Sequence, residues 1–145
     1  MVRTIFKAKT SQVNRAATSA SPSDASAHGR DLDNWPRLWM GLEKDLPPGE
    51  ELVVCLRPFI EHLAASSLSP KTIRRHVRNL WLLGGEIIRD LNYTPARRKV
   101  AAQRLLRDVV GADGGPLIYN GSEVEQRSLD STCRKLHRFL SQPQR

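Results

Sequence analysis

Apolar positions recur at helical spacing in four long stretches of this chain and in one shorter stretch ahead of them. The first long stretch covers about 50–65, where Leu52, Leu56, Phe59, Ile60 and Leu63 share a face. Pro58 falls inside it and predicts either a kink or a division into two pieces. The second runs from Ser69 to about Asn92, with Ser69 as N-cap and Pro70 at the first helical position. Ile73, Val77, Leu80, Trp81, Gly84, Ile88 and Leu91 keep one face of it. A glycine on that face predicts close approach of another helix. The third is opened by Thr94 and Pro95 and closed by Gly111, with Ala102, Leu105, Leu106 and Val109 buried. "GADGGPLIYNG" is then a loop. The fourth starts at Ser122, with Glu125 completing a capping box, and carries Leu129, Cys133, Leu136 and Leu140 with Phe139 beside them. Ahead of all four, "NWPRLWMGLEKDLPPG" predicts a short helix from near Asn34 that Pro47, Pro48 and Gly49 end. Trp35, Leu38, Trp39 and Leu42 give it an apolar side, more suited to packing on the domain than to stacking on bases.

Period-two alternation and internal repeats are both missing from the sequence, so the pattern predicts an all-α fold. Its organisation is a short helical strap over 31–48 and a helical domain over 49–145. Residues 1–30 differ in kind. They are rich in serine and alanine, lack apolar periodicity, and set Asp24 against Arg3, Lys7, Lys9, Arg15 and Arg30. Such a segment buries too little apolar surface to offset its ordering entropy, which predicts a disordered basic arm. An acid-poor, Arg/Ser-containing start also suits an organelle transit peptide, the second choice here. No run reaches the length of a membrane span, and no apolar signal core follows Met1.

Charge changes the picture most. The 145 residues carry a net charge of +8, and the sequence pI is about 10.2. That balance points to a polyanionic partner. Lys71, Arg74, Arg75 and Arg78 recur at i, i+3, i+4 and i+7, opposite Ile73, and no acid follows them until Glu86. A solvated helix face usually interleaves charges, because opposite pairs one turn apart help and like pairs repel. Four cations together therefore ask for an external anion, and a phosphate backbone supplies one. The last helix repeats the design with Arg127, Arg134 and Arg138, flanked by Lys135; the third places Arg97, Arg104 and Arg107 together.

Catalytic chemistry is thin by comparison. Cys55 and Cys133 sit singly in apolar patterns, and His28, His62, His76 and His137 have no metal-ligand spacing with them. Glu86 and Asp90 stand one turn apart, a spacing common on exposed faces. The sequence contains no Ser/His/Asp set, glycine-rich phosphate loop or carboxylate cluster with metal geometry. A non-enzymatic chain with no cofactor and no metal is expected.

Two stretches carry family resemblances. "LSPKTIRRHV" is similar to the start of the recognition helix in LuxR-type helix-turn-helix regulators. Ser66, preceded by Ala64 and Ala65, stands where that family packs a leucine or isoleucine into its tight turn. "FIEHLAASSLSPKTIRRHVRNLWLL" resembles the opening of the core-binding, SAM-like domain of tyrosine recombinases and phage integrases, through Phe59, Leu63, Ser69, Thr72, Ile73, Leu80 and Trp81. "DSTCRKLHRFLSQ" is similar to that domain's last helix, through Arg134, Leu136, Phe139 and Leu140.

The second resemblance spans about Glu50 to Gln142 and implies a four-helix SAM-like orthogonal bundle that clamps double-stranded DNA with its second and fourth helices. Lys71, Thr72, Arg74, Arg75, Arg78, Arg97, Arg104, Arg134, Lys135 and Arg138 are the residues expected at that interface. The family's catalytic half supplies two arginines, a lysine, a histidine-containing box and a tyrosine nucleophile. No such set stands in these residues; His137 and Arg138, for instance, are adjacent. The implied function is DNA binding without strand cleavage, in a cytoplasmic, nucleoid-associated setting, with a recombinase or transposase as a second partner. The alternatives are a helix-turn-helix regulator and a helical adaptor that binds protein through the Trp35/Trp39 strap.

Overall fold

A computed structural model describes residues 31–142, and they form an all-α fold. The arm expected over 1–30 lies outside the described residues. The helices are α1 (Trp35–Trp39), α2 (Leu46–Ala64), α3 (Pro70–Tyr93), α4 (Ala102–Val109) and α5 (Glu123–Ser141), with 3-10 turns at Glu43–Asp45 and Pro95–Lys99. Among the described residues, β-type pairing is limited to one isolated bridge, Gly111 to Gly114.

The caps of the two longest basic helices form as their sequences predict. Ser69 Oγ accepts the Thr72 backbone N–H, with Pro70 following at the first helical position. Ser122 and Glu125 close a reciprocal capping box. Two boundaries differ from expectation, and of the two outcomes expected at Pro58 a division is excluded. Pro47 and Pro48 do not stop a helix; they lie in the first turn of α2, which begins at Leu46. First-turn N–H groups have no acceptor within the helix, so prolines cost nothing there. α2 also runs unbroken through Pro58 to Ala64. Pro58 is exposed, and so is Val54, whose carbonyl loses its helical partner. Water can satisfy that carbonyl on this side. Finally, the helix expected over 94–111 is two elements. The chain makes a 3-10 turn at Pro95–Lys99, extends through Val100 and Ala101, and starts again as α4 at Ala102. Arg97 therefore does not share a helix with Arg104 and Arg107.

One core joins all five helices. Its centre is α3, which buries Ile73, Val77, Leu80, Leu83, Ile87, Ile88 and Leu91. Leu52, Leu56, Phe59 and Leu63 of α2, Leu105 and Leu106 of α4, and Leu129 and Leu136 of α5 complete it. Phe59 meets Phe139 of α5 at 5.3 Å between ring centroids. Trp35 and Trp39 are buried in the same core, 4% and 3% exposed, so the strap packs on the domain as expected. Leu42 departs from the expected stripe and stands exposed.

The close approach that Gly84 predicts is made by Trp39. A Cβ at Gly84 would overlap the indole ring of Trp39. The same indole donates its Nε1 hydrogen to the Trp81 carbonyl at 2.9 Å. α1 is thus held to the middle of α3 by a hydrogen bond and a ring seated where a side chain is missing.

A second tie is polar and has no sequence signal. Asp45, fully buried, accepts from Arg98 at 2.6 Å and from the Gly41 and Leu42 N–H groups at 2.9 and 3.0 Å. Asn92 also donates to it, at 3.3 Å. Burial pushes this carboxyl up, but the bonds from Arg98, Leu42, Gly41 and Asn92 together outweigh burial and hold it below the usual carboxylate range. The entry to α2 and the exit from α3 are fastened at this one side chain.

Replacing Gly84 with alanine tests the first tie. The added methyl should destabilise the fold by about 1–3 kcal/mol, the usual cost of overpacking. Urea unfolding followed by helical circular dichroism would show it. Combining G84A with W39F, which shrinks the facing ring, should recover part of the loss. Equal and additive costs would show that the two residues do not meet.

Candidate nucleic-acid interface

α3 and α5 pack antiparallel along a polar seam. His76 Nδ1 lies 2.7 Å from Thr132 Oγ1. Asn79, one turn on, donates its amide to Thr132 Oγ1 at 2.8 Å and to the Ser128 carbonyl and hydroxyl at 3.0 Å. Arg75 reaches across the seam to the Ser128 hydroxyl at 3.0 Å. His76, Asn79 and Thr132 are all buried. Every polar atom must find a partner there, so the bonds fix the register of the two helices.

Burial lowers the pKa of His76 to about 4, and the charges of Arg75 and Lys135 push it the same way. A neutral ring can accept the Thr132 hydroxyl hydrogen, while Asn79 donates to that same oxygen. The two perturbing cations come from opposite helices. The basic stripe of α3 and the basic stripe of α5 therefore flank one buried histidine.

The interface expected from sequence divides on this framework. Lys71, Arg75 and Arg78 are exposed on α3 and Arg74 is half-buried beside them; Lys135 and Arg138 stand on α5. Because the helices run antiparallel, the N-terminal half of α3 lies beside the C-terminal half of α5. Arg75 and Lys135 both act on His76, so the basic stripes of the two helices adjoin there. No salt bridge joins any of these six cations to a carboxylate among the described residues.

Other basic residues are committed elsewhere. Arg97 and Arg104 both bind Asp108, at 2.9 and 3.3 Å, and Arg97 also nears Asp90 at 3.8 Å. The Arg97 hydrogen bond, opposed by partial desolvation and aided by Arg104, holds the Asp108 carboxyl below its usual value. Arg97 and Arg104 therefore differ from the other expected contacts: they share Asp108, and Arg97 also has Asp90 nearby, so part of their charge is offset within the chain. Arg134, exposed one turn before Arg138 on α5, donates to the Asp113 carbonyl at 3.3 Å. Arg127 pairs with Glu123. Thr72 is half-buried and tied into the cap, where Ser69 Oγ donates to its hydroxyl at 3.0 Å. Arg37, Lys44, Lys99 and Arg107 also lack a carboxylate partner but stand singly on separate elements.

The far end of α3 has a different character. Glu86 pairs with Arg89 at 3.6 Å. The Arg89 guanidinium lies 5.0 Å from the Tyr93 ring centre and 4.4 Å from that of Tyr119. Beside them opens a cleft of about 620 Å³, with Ile87, Leu105 and Val109 among its lining residues. Its charged groups are largely paired with one another, so it holds no concentrated charge.

Groups suited to catalysis do not converge among the described residues. No set of three histidine, cysteine or acidic side chains could hold a metal ion. Both cysteines are free thiols. Burial pushes the Cys133 thiol up to about 12, with Asp130 adding to the rise, and burial likewise raises Cys55. Among the described residues no helix is long and apolar enough to cross a membrane.

No protein-family model matches the chain, and neither a curated protein nor a solved structure matches it.

The seam generates a pH dependence. A neutral histidine held near pKa 4, against about 6.5 when unfolded, favours folding above pH 6.5. That contribution is lost as pH falls from 6.5 towards 4. Between pH 7.5 and pH 5 the loss should be about 2 kcal/mol for this one group. H76Q keeps a side chain that can bond Thr132 but removes the titration, so its urea midpoint should change less across that range. Parallel pH profiles for both proteins would show that the seam does not hold His76 neutral.

Proposed function

We propose that this chain is a non-catalytic module that holds duplex DNA on the combined α3–α5 face. One observation carries the proposal: six cations stand on two register-locked helices without a carboxylate partner, while Arg57, Arg89, Arg97, Arg98, Arg104 and Arg127 each pair with an acid. Concentrated positive charge of this kind repels itself in the free protein. A polyanion relieves that repulsion and gains counterion-release entropy on binding.

The order of helices, the Ser69 cap and the basic second and last helices all agree with the resemblance to the core-binding domain of tyrosine recombinases. We infer the SAM-like orthogonal bundle as the arrangement and the nucleoid of the cytoplasm as the setting. A recombinase or transposase acting on the same DNA would be the protein partner. Lys71, Arg75, Arg78, Lys135 and Arg138 are the leading contacts, with Arg74 at the edge.

DNA retention across a salt series tests this. If four of these cations engage phosphates, log affinity should fall with log salt at a slope of about −3 to −4. Replacing Arg75, Arg78, Lys135 and Arg138 with glutamine should flatten the slope by about 2 or more, while R97Q and R104Q should change it far less. Circular dichroism establishes that each variant is helical. An unchanged slope in a helical quadruple variant would remove the α3–α5 face from the interface.

A further inference from the structure

The shape and chemistry of the basic patch say which part of DNA it can read. α3 and α5 lie side by side, locked by His76, Asn79, Ser128 and Thr132. Packed helices have axes about 8–10 Å apart and diameters of about 10–12 Å, so the pair presents a face about 20 Å across. The major groove is about 12 Å wide. A face of that breadth, laid flat, spans the groove and both its rims. Cations spread across both helices of such a face can meet the phosphates that border the groove.

The side chains agree with the shape. Exposed asparagine, glutamine, tyrosine, tryptophan and phenylalanine are all missing between Lys71 and Arg78 on α3 and between Ser128 and Arg138 on α5. Asn79, the amide in the seam, is buried and directs its amide hydrogens to Ser128 and Thr132. Amides are the usual readers of adenine edges, and this one is not available. Arginine can read guanine; Arg75 is bonded to Ser128 at the seam, which leaves Arg74, Arg78 and Arg138 as the candidate guanine readers of the face. The aromatic rings are placed elsewhere too. Trp35, Trp39, Trp81 and Phe59 are buried, and Phe139 is half-buried against Phe59. Tyr93 and Tyr119 flank Arg89, which is about 16 Å along α3 from Arg78. The patch thus lacks the stacking platform that single-strand binders use.

We infer that this face reads the phosphate backbone of double-stranded DNA, tolerates any base sequence, and prefers duplex to single strand. The inference rests on the DNA-binding function proposed above and goes further by naming the chemical feature recognised.

Fluorescence anisotropy with the full chain decides it, using three duplexes of equal length and unrelated sequence and one matching single strand. Affinities for the three duplexes should agree within about tenfold at each salt concentration, well below the discrimination of a site-specific binder. The single strand should bind more weakly than any of them. K135Q combined with R138Q should weaken all three duplexes by the same factor, as phosphate contacts do. One duplex preferred by more than about tenfold, or a single strand held as tightly as duplex, would overturn the inference and leave DNA binding standing. No retention of any duplex at the lowest salt would overturn both.

Discussion

α3 has to satisfy neighbours along most of its circumference. Twelve of its 24 residues are buried, and they face α1, α2, α4 and α5 in turn. Gly84 lets the Trp39 ring lie against it, and the buried polar pair His76 and Asn79 meets α5 on the other flank. What remains for solvent is a narrow strip, and along its first turns that strip is Lys71, Arg75 and Arg78. The basic face is therefore the part of α3 left over when packing is complete, and its position is set by the core.

The distribution of acids sharpens that strip into a patch. Asp108, Glu86, Glu123 and Asp45 each hold an arginine within their own region. Surface pairs of this kind contribute little stability, typically under about 1 kcal/mol. Their larger effect is on the field: they cancel charge near α4, the far end of α3 and the start of α5, and leave the near end of the α3–α5 pair positive. The arginine at Asp45 differs in kind, since that carboxylate is fully buried and receives hydrogen bonds from three segments. It belongs to the architecture.

Much of the helix order was legible in the apolar period, and the caps at Ser69 and Ser122 were legible to the residue. Caps are local, and local chemistry is what one sequence displays. The prolines at 47 and 48 misled for the same reason: a proline pair ends one helix or begins the next, and only packing decides which. The break at Val100–Ala101 was hidden because the apolar residues on both sides continue a helical count. That hidden break mattered for the site. Arg97 and Asp108 are eleven positions apart, and their pairing depends on the 3-10 turn that redirects the chain. The buried partners His76 and Thr132 were harder still, separated by 56 positions. Each looks like an ordinary polar residue at the flank of an apolar stripe.

The seam explains why polar groups sit in a core that could have been apolar. Two amphipathic helices with leucine faces can slide by a turn with little loss, because hydrophobic contact is not directional. His76, Asn79, Ser128 and Thr132 bond in one register, and a shift would leave several buried polar atoms without partners, each costing about 1–3 kcal/mol. The bonds therefore add little to stability when made and much to its loss when broken. That asymmetry keeps the basic turns of α3 and the basic turns of α5 in a fixed relation. A patch that binds phosphates needs such fixed spacing more than strong individual contacts, since each cation must meet its own phosphate along the duplex. The directional part of the core and the charged part of the surface are two consequences of the same helix pair.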